Sequence, residues 1–304
     1  MRVRNYVPKQ VFCENYVTFA FPLTSEARCF ILKTMSGGKS KTVLLVLTVA
    51  SCVLTLAFAI TGEVLRGAVY GGTLPVAVNL AFGAAERLLL TVTAVCLMLT
   101  FGYTKALKPG ISGGIIASVA GAAVAVANFP FVCMAQGLLG ITASGGEFAL
   151  FIVYCISVGL FEETAFRGFV FPLVLEKTGN KKYGVFIAVT VSSALFAILH
   201  LLNLAQGASV GATALQVGYT FLVGCMCSVI LIATGSLLVP VIVHAAFDVG
   251  GTMTSLGVAA GSHWNTPSII IMAAVGTLAA LYLAAWFFRH SDRALRLLPD
   301  RESR

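Results

Sequence analysis

The chain has 304 residues, of which 58% are apolar before its 30 glycines are counted, while Asp, Glu, Lys and Arg together reach only 11%. A soluble protein is roughly 25% charged, so this composition cannot wet a globular surface. It excludes a soluble enzyme, a disordered chain and a nucleic-acid binder, and the mean hydropathy of +0.94 agrees.

In chain order, the first 41 residues form a basic tail. Within it Met35 precedes a short basic segment, Ser36 to Lys41, that leads straight into an apolar run, as a membrane protein's own N-terminus does. Residues 1–34 therefore read as either an upstream misread or a loosely ordered tail. A membrane helix needs about 20 mostly apolar residues. Such runs fall near 42–61, 87–104, 111–135, 148–172, 183–204, 214–234, 236–257 and 268–288. The apolar stretch 74–86 is too short and reads as a re-entrant or interfacial piece. A second basic tail covers 289–304. The expected fold is an all-α polytopic bundle of about eight transmembrane helices. Its membrane domain spans 42–288, with a functional core near 145–257.

Seventeen of the 20 Lys and Arg residues fall on one side of this alternation, including Lys105, Lys108, Lys177, Lys181, Lys182 and both tails. The other side holds Arg66 and Arg87. Basic loops stay in the cytoplasm, so both termini are expected there. The net charge of +8 needs no anionic partner once it is distributed in this way. The compact loops point to a bacterial cytoplasmic membrane. Six of the eight cysteines lie in apolar runs and no CxxC pair occurs, so they read as buried or reduced thiols.

Ionisable groups inside a membrane are costly and mark sites. Six stand within the runs: Glu162, Glu163 and Arg167, then His200, then His244 and Asp248. Glu163 and Arg167 are four apart and share a helix face, where they can neutralise each other. Glu162 is rotated about 100° from Glu163 and has no partner within its own helix. His244 and Asp248 share a face, as do Phe196 and His200, with Asn203 one turn on. Asn203 also suits the capping of a helix end. Three helices thus each offer one polar stripe. Such a set can pin helices together, activate a water, hold a metal or carry protons in a transporter.

At these stripes the sequence resembles the CPBP intramembrane proteases, the family of type II CAAX prenyl endopeptidases and bacteriocin-processing or immunity proteins. FEETAFRGF matches EExxxR, Phe196 to His200 matches FxxxH, and His244 to Asp248 matches HxxxN or HxxxD. The three lie in family order over roughly 145–257. The resemblance implies an all-helical membrane protease acting on a membrane-associated or lipidated peptide. It also implies that Glu162 and His200 activate water, while His244 and Asp248 stabilise the oxyanion. Glu163, Arg167, Phe196 and Asn203 are then supporting residues.

Two points remain open in the sequence. At 1.5 Å per residue, Glu162 and His244 lie about 15 and 12 Å from the cytoplasmic ends of their runs, but His200 about 25 Å. Either a later start for the run at 183, with the Lys181 region as a surface helix, or strongly tilted helices would remove the mismatch, and the later start is preferred. The second point is metal. Glu162, His200, His244 and Asp248 form an O₂N₂ donor set acceptable to zinc. No HExxH is present, and the family's Asn at the last position favours metal-free chemistry. The competing reading is a proton-coupled transporter or a non-catalytic scaffold, although the polar residues have no counterpart in the first half of the chain, as transporter repeats would require.

Overall fold

The computed structural model describes residues 38–65, 69, 74–107, 114–205, 207–259 and 265–299. The expectations for residues 1–34 and for Arg66 lie outside them. The protein is an integral-membrane helical bundle. Among the described residues, seven helices are long and apolar enough to cross a bilayer.

Helix α1 (Gly38–Val64) and α2 (Val76–Phe101) form an antiparallel hairpin. Ser51 hydrogen-bonds Thr93 at 2.8 Å and Gly62 packs on Phe82. The stretch 74–86 is therefore no re-entrant piece. It is the first part of one continuous 26-residue helix, and Arg87 lies in the middle of that helix rather than in a loop.

The run 111–135 does not become a full span. Its helix, α3 (Ile115–Ala127), has 13 residues, about 20 Å against a hydrocarbon core of about 30 Å. Asn128 is its C-cap, and Pro130, which cannot continue a helix, follows and opens the short α4 (Phe131–Ala135). The chain then continues as β1 (Leu139–Ile141). Seven long helices and one short one thus stand where eight spans were expected.

Helix α5 (Gly145–Glu163) starts at a reciprocal capping box between Ser144 and Glu147. It continues without a break through a π-helical segment, Thr164–Val170, into α6 (Phe171–Thr178). The whole is 34 residues long. Helices α7 (Gly184–Leu199) and α8 (Leu202–Ala205) return antiparallel to it. Helix α9 (Val210–Thr234) follows, then α10 (Leu238–Thr252), β2 (Gly257–Ala259) and α11 (Thr266–His290). β1 and β2 pair antiparallel as a small ribbon, with Gly140 opposite Val258.

Helix α9 is the centre of the bundle, with 67% of its most apolar window buried; α1 is peripheral, at 11%. The C-terminal segment is not a free tail at its start. Ser291–Leu297 forms a 3₁₀ helix whose Ala294 and Leu297 are buried. It sits beside Gly179, and Pro299 sits beside Gly102. The α2, α6 and C-terminal ends thus form one layer at one end of the bundle.

Between Glu162 and His200 the depth mismatch dissolves in this geometry. Helix α7 begins at Gly184, not later. It is the preceding helix that is longer than expected, running to Thr178. Glu162 is then about 24 Å from Thr178, the same as His200 from Gly184.

Candidate active site

Helices α5 and α10 meet where α5 carries Gly159. A methyl group there would stand 3.0 Å from the backbone nitrogen of Ala245 and the carbonyl oxygen of Val241. The missing side chain lets the two backbones close up. Val241 and Ala245 bracket His244, and Glu162 and Glu163 lie one turn beyond Gly159. This contact delivers the imidazole to both glutamates.

His244 is 3% exposed and Glu163 and Arg167 are 0% exposed. The Nδ1 atom of His244 lies 2.7 Å from Oε1 of Glu163, and Nη1 of Arg167 lies 3.1 Å from the same oxygen. An ionised carboxylate only accepts, so Nδ1 carries the proton in that bond. Nε2 then faces Oε2 of Glu162 at 3.3 Å and Oδ2 of Asp248 at 3.7 Å. The expected pairing of Glu163 with Arg167 is present, and Glu163 also holds His244.

Arg167 sits in the π-helical segment. Its guanidinium carbon lies 4.7 Å from the centre of the Phe196 ring, a cation–π distance. On the far side it meets Gly224 of α9, where a methyl group would approach Nη2 to 2.8 Å and Cβ of Ser193 to 2.9 Å. The π-helical segment shifts backbone pairing, and Ser192 Oγ donates to the Phe166 carbonyl at 2.8 Å.

Phe196 is the wedge of the site. Its ring packs edge-on against His200 at 5.1 Å and His244 at 5.7 Å, besides carrying Arg167. That is why Phe and His stand four apart in the second motif. His200 is the C-cap of α7, and its Nδ1 lies 3.2 Å from the Phe196 carbonyl oxygen. A carbonyl accepts, so Nδ1 donates and Nε2 remains as the acceptor. Asn203 donates to Gln216 Oε1 at 2.7 Å, tying the end of α7 and α8 to α9.

Glu162, His200, His244, Asp248, Phe196 and Asn203 all line one cavity of about 1180 Å³. Glu163 and Arg167 do not line it. Sequence reasoning missed Gly159 and Gly224, whose value lies only in close approach. It also missed Asn128, Tyr154 and Arg87, which line the same cavity. Arg87 was legible in principle, had 74–104 been read as one helix with a charge at its centre.

The zinc donor set does not converge. Among the described residues, no three of Glu162, His200, His244 and Asp248 bring donor atoms within 4.8 Å of one another. The group that does so is Glu163, Cys227 and His244. Zinc would need each donor at about 2.0–2.3 Å. The Arg167 guanidinium 3.1 Å from Glu163 already neutralises that carboxylate. These residues do not fit the metal as arranged.

Residues 144–250 match the family model described as "Type II CAAX prenyl endopeptidase Rce1-like". All three motifs lie inside the match, so this part of the chain is similar to that membrane-protease family. Comparisons with curated proteins and with solved structures gave no match.

Proposed function

We propose that this protein is an intramembrane endopeptidase that cuts a membrane-associated or lipidated peptide with a water activated by Glu162 and His200. One observation carries the reading: four motif residues from three helices line a single cavity inside the bundle, while the Glu163–Arg167 pair lies behind it. The lining is largely apolar, including Val158, Leu215 and Phe247, which suits a hydrophobic substrate segment.

The water sits between Glu162 and the Nε2 acceptor of His200. Glu162 takes its proton as the oxygen attacks the scissile carbonyl carbon. The carbonyl oxygen becomes an oxyanion and receives a hydrogen bond from His244 Nε2–H. Since Nδ1–H is committed to Glu163, a donor at Nε2 makes the ring an imidazolium held among Glu162, Glu163 and Asp248. A protonated Asp248 supplies the second donor. Collapse breaks the C–N bond, and the proton held by Glu162 passes to the leaving amine. The result is a free acid and a free amine with every proton accounted for.

Both chain termini lie in the cytoplasm of a bacterial cell in this reading, and the bilayer and the peptide are the partners. The test is cleavage of a library of lipidated and unlipidated peptides by purified protein. Wild type should cut, and Glu162→Gln should lose roughly 10²–10⁴-fold in rate while folding normally. Undiminished cleavage by Glu162→Gln would remove Glu162 from the mechanism. Solute uptake into proteoliposomes without any cleavage would replace the protease with a transporter.

A further inference from the structure

Arg87 is a cation in the middle of a membrane helix that the chemistry above does not use. It lines the same cavity as Glu162, His200, His244 and Asp248. Its guanidinium stands 5.7 Å from the centre of the Tyr154 ring. Its one hydrogen bond to a described side chain runs from Nη1 to Glu86, its own neighbour in sequence, at 3.0 Å. Both side chains keep about a third of their surface open, 32% for Arg87 and 33% for Glu86. Glu86 therefore keeps the charge tolerable in the membrane while leaving Nε and Nη2 to a further acceptor.

The placement is set by packing. Gly83, one turn before Arg87, faces Tyr154 so closely that a methyl group there would lie 2.7 Å from the ring edge. Tyr154, Val158 and Glu162 follow at four-residue steps on one face of α5, and all three line the cavity. The eight residues from Tyr154 to Glu162 rise about 12 Å. Extended peptide covers about 3.3–3.6 Å per residue. A chain laid along this face reaches from the reacting carbonyl at Glu162 to Arg87 in three to four residues.

We infer that Arg87, framed by Tyr154, is a specificity residue that binds the free C-terminal carboxylate of the peptide. The inference rests on the protease reading and deepens it. A planar guanidinium with two open donors matches a carboxylate in bidentate fashion. A terminal carboxylate also needs such a partner, because it must enter an apolar cavity with its charge. The substrate then lies with its C-terminus towards the Gly145 end of α5, and the released fragment is a short peptide whose own carboxylate was the handle.

The experiment compares two lipidated peptides of one sequence, one ending in a free carboxylate and one in an amide. Full-length wild type should favour the acid by at least tenfold in kcat/KM. Arg87→Gln should abolish the preference, bringing the acid-to-amide ratio of kcat/KM to about one, and Arg87→Lys should fall between. Thermal unfolding in detergent checks that the variants fold; should Arg87→Gln not fold, the wild-type ratio and Arg87→Lys still decide. Equal cleavage of acid and amide by wild type, or an equal loss on both in Arg87→Gln, overturns the assignment. An amide peptide with Asp as its last residue that is cut as fast as the acid overturns terminal recognition as well. Cleavage of neither peptide overturns the protease reading itself, and this inference with it.

Discussion

Glu163 holds His244: Oε1 of the glutamate lies 2.7 Å from Nδ1 of the histidine and accepts a hydrogen bond from its N–H, while the same oxygen faces Arg167 at 3.1 Å. One buried oxygen thus couples the ion pair behind the site to the ring inside it. Losing either charge strands the other in a fully buried position, at about 3–5 kcal/mol. Glu163→Ala and Arg167→Ala should both lower the yield of folded protein, measured by size-exclusion recovery. They should differ in the fraction that folds. Glu163→Ala also frees the imidazole and should lose about a hundredfold or more in kcat, whereas Arg167→Ala should lose much less. Equal kcat in the two folded fractions would make Glu163 structural only.

The candidate site was legible because its residues break the composition around them. Charges and histidines within apolar runs are visible one by one, and four-residue spacing predicts which share a face. That logic identified Glu162 as the glutamate without a helical partner, and the structure turns it to the cavity beside His244 at 3.3 Å. What spacing could not reveal was contact between helices. Cys227, whose sulfur lies within 4.8 Å of the Glu163 and His244 atoms, reads as one more small apolar residue in α9. The short α3 was missed because hydropathy does not see the Asn128–Pro130 stop, and the length of α2 because a charge at Arg87 reads as a boundary.

Gly159 should be the most sensitive position that carries no functional group. Its neighbours across the helix contact are backbone atoms of Val241 and Ala245, which cannot rotate away. Gly159→Ala requires a shift of a few tenths of an ångström and should cost about 1–3 kcal/mol as overpacking does. Gly159→Leu must part α5 from α10 and carry His244 away from both glutamates. Its kcat should fall by at least tenfold at unchanged Arg167 packing, which activity and thermal unfolding together would report. Full activity in Gly159→Leu would mean that the close helix contact does not set the site.

The membrane topology has its own check. Ser51 pairs with Thr93 and Gly62 with Phe82, so α1 and α2 run antiparallel and the start of α1 lies level with Phe101. Pro299 packs on Gly102 at that same end. The two described ends of the chain therefore lie on one side, the side of Lys177, Lys181 and Lys182. A reporter fused after Arg304 should read cytoplasmic, and a single cysteine introduced at Gly137 should react with an impermeant reagent from outside. An external reporter at Arg304 would invert the orientation.

Position 248 separates water activated by side chains from water activated by a metal. Asp248 Oδ2 lies 3.7 Å from His244 Nε2, beyond hydrogen-bond range, and has no hydrogen-bond partner among the described residues. As an anion it could only accept, and an oxyanion needs donors. An amide of the same shape offers an N–H at that point, while it replaces an anionic metal ligand poorly. Asp248→Asn should therefore keep or raise kcat/KM, because the donor no longer depends on a proton held by the carboxyl. Strong chelators should leave wild-type cleavage unchanged, in line with four candidate donors that do not close on one point. Loss of activity in Asp248→Asn, together with chelator inhibition reversed by added zinc, would make the metal the agent that activates water.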